Sequence, residues 1–339
     1  MATDATELLP AAELEAYLDE QGLGSGPVRA GRIGDGASNL TYVVERDGAR
    51  VVVRRPPPPP IPPSAHDMVR EANVQKGVAR GGVRVPKILA VCEDEDVIGA
   101  PFYVMEEIDG EVITDTLPAE LDTPEERRRL GLELVDGLVA LHAVDYAACG
   151  LERLGKPTGF LERQLRRWSG LWEGNATREL PEFAAIGDRL KATLPASPPA
   201  TVVHGDYRLG NVMVGPDAPA RLVAILDWEM ATIGDPLADL GYLVATWSAP
   251  GAAEHPLLMA PVTARPGFPS RDELVERYAD RSGRDVSRLA WYEAFALWKS
   301  AVFSEAIHGR YLRGERDDEW AGALREGVPR LLEVARTYL

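Results

Sequence analysis

Three oxygen-bearing side chains, Asp206, Asn211 and Asp227, stand within one stretch of the chain, VVHGDYRLGNVMVGPDAPARLVAILDWEMATIGDPLADL. An apolar pair, Val202 and Val203, runs into His204-Gly205-Asp206, and Asn211 follows five residues after the aspartate. Val212 to Val214 read as a short strand, Gly215-Pro216-Asp217 as a turn, and Leu222 to Leu226 as a second strand ending on Asp227. The hairpin is expected to return the second aspartate beside the first. Such a set suits phosphoryl transfer, whose loose transition state asks for a positioned hydroxyl and divalent metal across the phosphate oxygens. Asp206 is the residue to accept the proton of the attacking hydroxyl, with Asn211 and Asp227 as hard oxygen ligands for Mg2+. Gly205 lets the backbone turn tightly ahead of the base, and His204 reads as a brace for the loop.

HGDYRLGN with ILDWEMATIGDPLADL resembles the aminoglycoside phosphotransferase and choline kinase-like family, which shares the protein-kinase fold. The resemblance runs from about Ile33 to about Gly314. It implies an α+β, two-lobed protein-kinase-like fold. A small antiparallel β-sheet lobe, residues 1–108, would bind nucleotide; a larger, mainly helical lobe, residues 109–339, would carry the catalytic loop and the acceptor. It implies Asp206 as catalytic base, Asn211 and Asp227 as metal ligands, ATP or GTP as donor with Mg2+, and Asp239 as a prop behind the loop. VVVRRPP, SAHDMVRE, HGDYRLGN and EAIHGRYLRG are most similar to the kinase-like domains fused to some acyl-CoA dehydrogenases and to their free-standing bacterial relatives. That similarity implies a hydroxylated acyl compound or another small metabolite as the hydroxyl acceptor, with Tyr207 and Arg208 as its contacts beside the base. An antibiotic kinase acting on aminoglycosides and a catalytically silent nucleotide-binding protein are the rival readings. A protein kinase is disfavoured: no Ala-Pro-Glu segment follows Asp227, and Asp-Trp-Glu stands where Asp-Phe-Gly would.

The elements that must position these groups begin upstream. Glu7 to Glu20 has its leucines near helical spacing. Arg32 to Val44 reads as a glycine loop leading into a strand, with Gly34 and Gly36 for close approach to phosphate and Ser38 or Asn39 as a donor. Arg50 to Arg55 reads as the next strand. The family places a phosphate-binding cation there, usually lysine; here Arg54 is preferred over Arg55 because it shares a strand face with Val52. Arginine would bind phosphate as a fork. Pro56 to Pro63 reads as a stiff polyproline connector, and Ser64 to Asp67 resembles a capping box. The helix Asp67 to Ala79 offers Glu71, which the family pairs with the strand cation. Glu93 to Asp96 (EDED) reads as a solvated turn and PFYVMEEI, Pro101 to Ile108, as a strand. The resemblance makes that strand the hinge, with Met105 lining the base pocket and the Glu106 carbonyl and Ile108 amide bonding adenine.

The remainder reads as mostly helical, with helices over Pro124 to Val144, Phe160 to Trp172, Pro181 to Leu194, Arg271 to Arg281, Ala290 to Tyr311 and Ala321 to Leu339. His142 reads as structural, and Asp235 as a helix cap. Ser248 to Ser270 reads as a loop edging the acceptor pocket, with Lys299, Glu305, His308 and Arg310 approaching the same region. A chain of 339 residues with 45% apolar side chains has ample core for two lobes. Acidic side chains exceed basic ones by 53 to 37, a net charge of -16, which argues against nucleic acid or an anionic membrane as partner. Two cysteines, Cys92 and Cys149, form no metal or disulfide pattern. No signal-like leader or spanning apolar run is read. A cytoplasmic monomer or homodimer is the expectation.

Overall fold

The computed structural model describes residues 8–34, 39–59, 66–250 and 254–339. It divides into two compact units, one of residues 1–109 with 224–229, the other of residues 110–223 with 230–339.

The smaller unit is built on a five-stranded antiparallel sheet. In chain order come helix α1 (Ala11–Glu20), strands β1 (Ser25–Ile33), β2 (Leu40–Asp47) and β3 (Ala49–Arg55), helix α2 (Met68–Arg80), β4 (Ile88–Cys92), a single helical turn α3 (Glu95–Ile98) and β5 (Phe102–Glu106). The sheet order is β1-β2-β3-β5-β4. Strand alternation sorts side chains onto two buried faces. Tyr42, Val44, Val51, Val53, Phe102 and Val104 pack with Leu14 and Leu18 of α1, while Val43, Val52, Tyr103 and Met105 pack with Met68 and Ala72 of α2. Both faces being covered explains the uninterrupted Val51-Val52-Val53 run.

The same alternation decides between the two arginines that follow. Arg54 falls on the α2 face. Arg55 falls on the α1 face, where its Nη1 donates to the Ile98 carbonyl at 3.0 Å and to the Leu8 carbonyl.

Three local expectations are corrected. Arg32 and Ile33, expected to open the glycine loop, instead end β1, whose sequence SGPVRAGRI is exposed along most of its length and carries two Gly and a Pro that weaken strands; it is held as an edge strand by pairing with β2. The EDED turn runs into helical turn α3, started by Asp94, whose Oδ1 accepts the Asp96 amide at 2.9 Å. α2 is capped by Asp67, which accepts the Arg70 amide at 2.9 Å; Ser64 and Ala65 of the expected capping box lie outside the described residues.

The larger unit is mainly helical. It contains β6 (Glu111–Val112), α4 (Pro124–His142), α5 (Phe160–Asn175), α6 (Pro181–Ala192), β7 (Thr201–Val203) and β8 (Val212–Val214). β9 (Leu222–Ile225) begins in this unit, and β10 (Thr232–Gly234), α7 (Leu237–Thr246), α8 (Arg271–Ser282), α9 (Leu289–Leu312) and α10 (Glu319–Thr337) complete it. β7 pairs antiparallel with β10, Val203 opposite Thr232, and β6 pairs with β8. α9 is buried along most of its length, including Trp291, Phe295, Trp298 and Lys299. No helix among the described residues is long and apolar enough to cross a membrane.

Candidate active site

The chemistry-bearing residues fall into two clusters, one in each unit. In the larger unit, β7 ends at Val203 and the chain enters His204-Gly205-Asp206. Gly205 takes φ +86°, and a Cβ there would lie 2.8 Å from the Met230 carbonyl oxygen, so only glycine fits the turn. Asp239, at the start of α7 and 1% exposed, accepts the His204 amide at 2.7 Å and the Gly205 amide at 2.8 Å. His142 lies 3.2 Å from the same carboxylate and 2.7 Å from the Tyr278 hydroxyl. Burial alone would raise the Asp239 pKa, but the hydrogen bonds from His142 and the Gly205 amide hold it below the usual carboxylate range. Burial lowers the His142 imidazole. Asp239 therefore props the loop by taking up two backbone donors, and His142 braces Asp239. Asp235 accepts the Leu237 amide at 3.0 Å beside the start of α7.

Asp206 itself is 27% exposed at its side chain. Asn211 Nδ2 donates to its Oδ2 at 2.6 Å and to its carbonyl at 2.8 Å. That leaves Asn211 Oδ1 with no hydrogen bond among the described residues. Arg208 Nε stands 3.7 Å from Asp206 Oδ1, and this buried nitrogen has no hydrogen-bond partner among the described residues. Tyr242, one helical turn past Asp239 on α7, also bonds Asp206; burial first, then the Asp206 charge, drives its phenol pKa up. Tyr242 was not anticipated, although its spacing of three from Asp239 puts it on the same helix face.

Tyr207 is not an acceptor contact. It is fully buried, and its hydroxyl donates inward to the Leu134 carbonyl at 2.7 Å. Of the four α9 residues expected nearby, Lys299 alone reaches the loop, donating from Nζ to the Gly205 carbonyl at 3.0 Å. Glu305 instead accepts from Thr177 and Arg178, His308 approaches the Ala321 carbonyl, and Arg310 pairs with Glu315. The Ser248 to Ser270 segment includes a short 3-10 turn at Pro261–Ala264 and borders a cavity of about 700 Å3 with Arg330 of α10.

In the smaller unit, Arg54 is the centre. Its Nε lies 3.1 Å from Glu71 Oε1, an ion pair without hydrogen-bond alignment, and its Nη2 donates to Asp227 Oδ1 at 2.8 Å. Glu71 is 1% exposed and also accepts from the Tyr103 hydroxyl at 3.1 Å. Asn39 Nδ2 donates to Glu71 and to Glu229, each at 3.3 Å, and His66 Nδ1 lies 2.8 Å from Asn39 Oδ1. Burial works against the Arg54 charge, but Glu71, Tyr103, Asp227 and Glu229 outweigh it and raise its pKa. Burial pushes the Glu71 carboxyl up, opposed by Arg54. Asp227 adopts φ +63°, a left-handed conformation uncommon outside glycine and one found at functional sites. Its Oδ2 makes no hydrogen bond among the described residues.

Met105 is 9% exposed and packs in the sheet core. The Glu106 amide donates to the Lys87 carbonyl at 2.9 Å, while the Ile108 amide donates to nothing among the described residues. Gly34 closes β1 with φ +73°; Gly36 and Ser38 lie outside the described residues. For Mg2+, the donor chemistry of each cluster fits by itself: Asn211 Oδ1 in the larger unit and Asp227 Oδ2 in the smaller are hard oxygens that make no hydrogen bond among the described residues.

Residues 29–292 match the model of the phosphotransferase enzyme family. Rat acyl-CoA dehydrogenase family member 11 is 32% identical over 330 residues, covering 93% of this chain and 42% of the relative. The chain thus spans less than half the length of that curated relative. A crystal structure of a candidate aminoglycoside phosphotransferase from Ralstonia eutropha is similar with 31% identity and a TM-score of 0.81, covering 96% of this chain and 98% of the other. A spectinomycin phosphotransferase solved with ADP and spectinomycin shares the fold at 12% identity and a TM-score of 0.59, over 97% and 98% of the two chains.

Proposed function

We propose that this chain, which belongs to the phosphotransferase enzyme family, moves the γ-phosphate of ATP or GTP to a hydroxyl of a small molecule. The observation that carries this reading is Asp206: a part-exposed carboxylate gripped by Asn211 and Tyr242 on a loop whose backbone Asp239 fixes. A general base needs reach and a fixed orientation before anything else. Asp206 accepts the proton as the acceptor oxygen attacks the γ-phosphorus in line, and the bond from phosphorus to the bridging oxygen breaks to leave nucleoside diphosphate. Arg208, beside Asp206, contacts the acceptor side and offsets the charge that builds there. Arg54 presents its fork to the α- and β-phosphates, with Glu71 holding it. The Glu106 carbonyl and Ile108 amide take the nucleotide base. Mg2+ held by Asn211 Oδ1 and Asp227 Oδ2 would supply charge neutralisation at the phosphate oxygens.

For the acceptor, similarity along 93% of the chain to an acyl-CoA dehydrogenase family member supports a hydroxylated acyl metabolite. An aminoglycoside is the competing acceptor. A panel assayed by ADP release, with hydroxyacyl thioesters beside aminoglycosides, separates the two. Asp206→Asn is expected to lower kcat by about 10²- to 10⁴-fold and to leave Mg-nucleotide affinity largely intact; full activity in that variant overturns the proposed base. A second reading, a silent nucleotide binder, draws on Arg54 being tied to both Glu71 and Asp227. Nucleotide binding with no transfer across the panel would favour it.

A further inference from the structure

Lys299 stands beside the loop that carries the proposed base. It projects from the middle of α9 and is 8% exposed. Its ammonium stands 4.7 Å from the Tyr242 ring centroid and 5.9 Å from that of Trp168, so helices α5, α7 and α9 each supply one member of a small recess. Aromatic faces attract cations in this way, and desolvated recesses of this kind are used to recognise ligand ammonium groups. Here the recess is filled by the protein's own cation, anchored on the Gly205 carbonyl one residue from Asp206. Burial lowers the Lys299 pKa, while the charges of Asp206 and Asp239 raise it and Arg167 opposes them. Arg208 adds a further cation on Asp206, and Arg167 lies 5.3 Å from the Trp168 centroid. The surroundings of Asp206 are therefore cationic in a chain of net charge -16.

We propose that Lys299 determines acceptor specificity: its ammonium occupies the Trp168–Tyr242 recess beside Asp206 and excludes amine-bearing alcohols in favour of neutral or anionic hydroxyl compounds. The proposal rests on Asp206 being the base that receives the acceptor. Like charges about 6 Å apart at an effective dielectric of about 20 repel enough to change binding by about a hundredfold. Removing the Lys299 charge relieves that repulsion and leaves two aromatic faces and the Asp206 carboxylate, a setting that welcomes an ammonium group.

The test is a matched series of short-chain alcohols ending in a carboxylate, a methyl or a trimethylammonium group, assayed by ADP release with wild type, Lys299→Gln and Lys299→Arg. The expected wild-type order places the ammonium compound last. Lys299→Gln raises the ammonium-to-carboxylate ratio of kcat/KM at least about tenfold, and Lys299→Arg keeps the wild-type ratio. An unchanged ratio in Lys299→Gln, or a wild type that takes the ammonium compound as readily as the carboxylate, overturns the proposal. Should no compound release ADP, the phosphotransfer reading fails by itself. The recess is then read through thermal stabilisation of the wild type and Lys299→Gln by the same compounds. A shift towards the ammonium compound in Lys299→Gln supports the proposal, and its absence refutes it. If Lys299→Gln does not fold, the wild-type order and Lys299→Met, which removes the charge and keeps the apolar stem, carry the same comparison.

Discussion

Asp239 accepts the backbone amides of His204 and Gly205 at 2.7 and 2.8 Å, so one carboxylate behind the loop holds both residues that precede Asp206. It is buried, and the side chain that hydrogen-bonds it is His142, whose imidazole burial keeps biased toward neutral. Asp239→Asn turns one acceptor oxygen into a donor facing one of the two backbone N–H groups. The expected result is a loss of roughly 2–4 kcal/mol of stability, since unmatched buried polar groups cost about 1–3 kcal/mol each. Chemical denaturation reads the stability and steady-state kinetics a fall in kcat exceeding any change in nucleotide KM.

Arg54 and Arg55 are adjacent in sequence and opposite in consequence. Arg54→Ala leaves Glu71 buried without its counter-charge, an outcome worth about 3 kcal/mol when one partner of a buried pair is removed. It is expected to weaken nucleotide binding as well. Arg55→Ala gives up hydrogen bonds to backbone carbonyls on the α1 face and is expected to cost stability with nucleotide affinity unchanged. Titration of both variants with labelled nucleotide, beside their melting curves, checks the pair; equal loss of affinity in both would contradict the assignment.

Tyr207→Phe tests the inward orientation of a residue that neighbours the base. The Leu134 carbonyl loses its donor, for which about 1 kcal/mol of stability is the usual scale. Acceptor KM and kcat are expected to stay within twofold to threefold of wild type, that is, within about 0.7 kcal/mol of transition-state stabilisation. A tenfold rise in acceptor KM would return Tyr207 to the acceptor site.

His255, beside the Pro261–Ala264 turn, has an imidazole lowered from 6.5 to about 4, first by burial and then by Arg271 and Arg330. A folded-state value below the ordinary one means that the unfolded chain takes up the proton first, so stability rises with pH across the interval. The contribution is intact above pH 6.5 and drains away as the pH falls toward 4. Its ceiling is about 3 kcal/mol at about 1.4 kcal/mol per pKa unit. Melting temperature measured against pH for wild type and His255→Gln is expected to show a shallower acid limb in the variant.

The catalytic loop was legible because its constraints are local. HGDYRLGN packs a turn glycine, a carboxylate and an amide into eight residues, and the sheet alternation that selects Arg54 is a counting rule. Tyr207 was misread because adjacency in sequence says nothing of direction in a loop without a repeating period. Its path inward depends on the Leu134 carbonyl, 73 residues away. β1 escaped for a related reason: an exposed edge strand carries no apolar alternation, and only its pairing with β2 defines it. Trp168 and Tyr242 around Lys299 come from two further helices, a convergence that no single stretch of sequence displays.

The assignment of residues 224–229 to the smaller unit has a practical corollary for anyone wishing to isolate it. A gene truncated after codon 109 would encode every strand of the five-stranded sheet yet omit Asp227 and Glu229, two of the carboxylates surrounding Arg54. The Ile225 amide, which donates to the Arg84 carbonyl at 2.8 Å, would go with them. Such a fragment would carry a buried guanidinium short of counter-charge, a costly arrangement. Grafting the hexapeptide back through a designed linker, and not shortening the chain, is the route to a faithful stand-alone version.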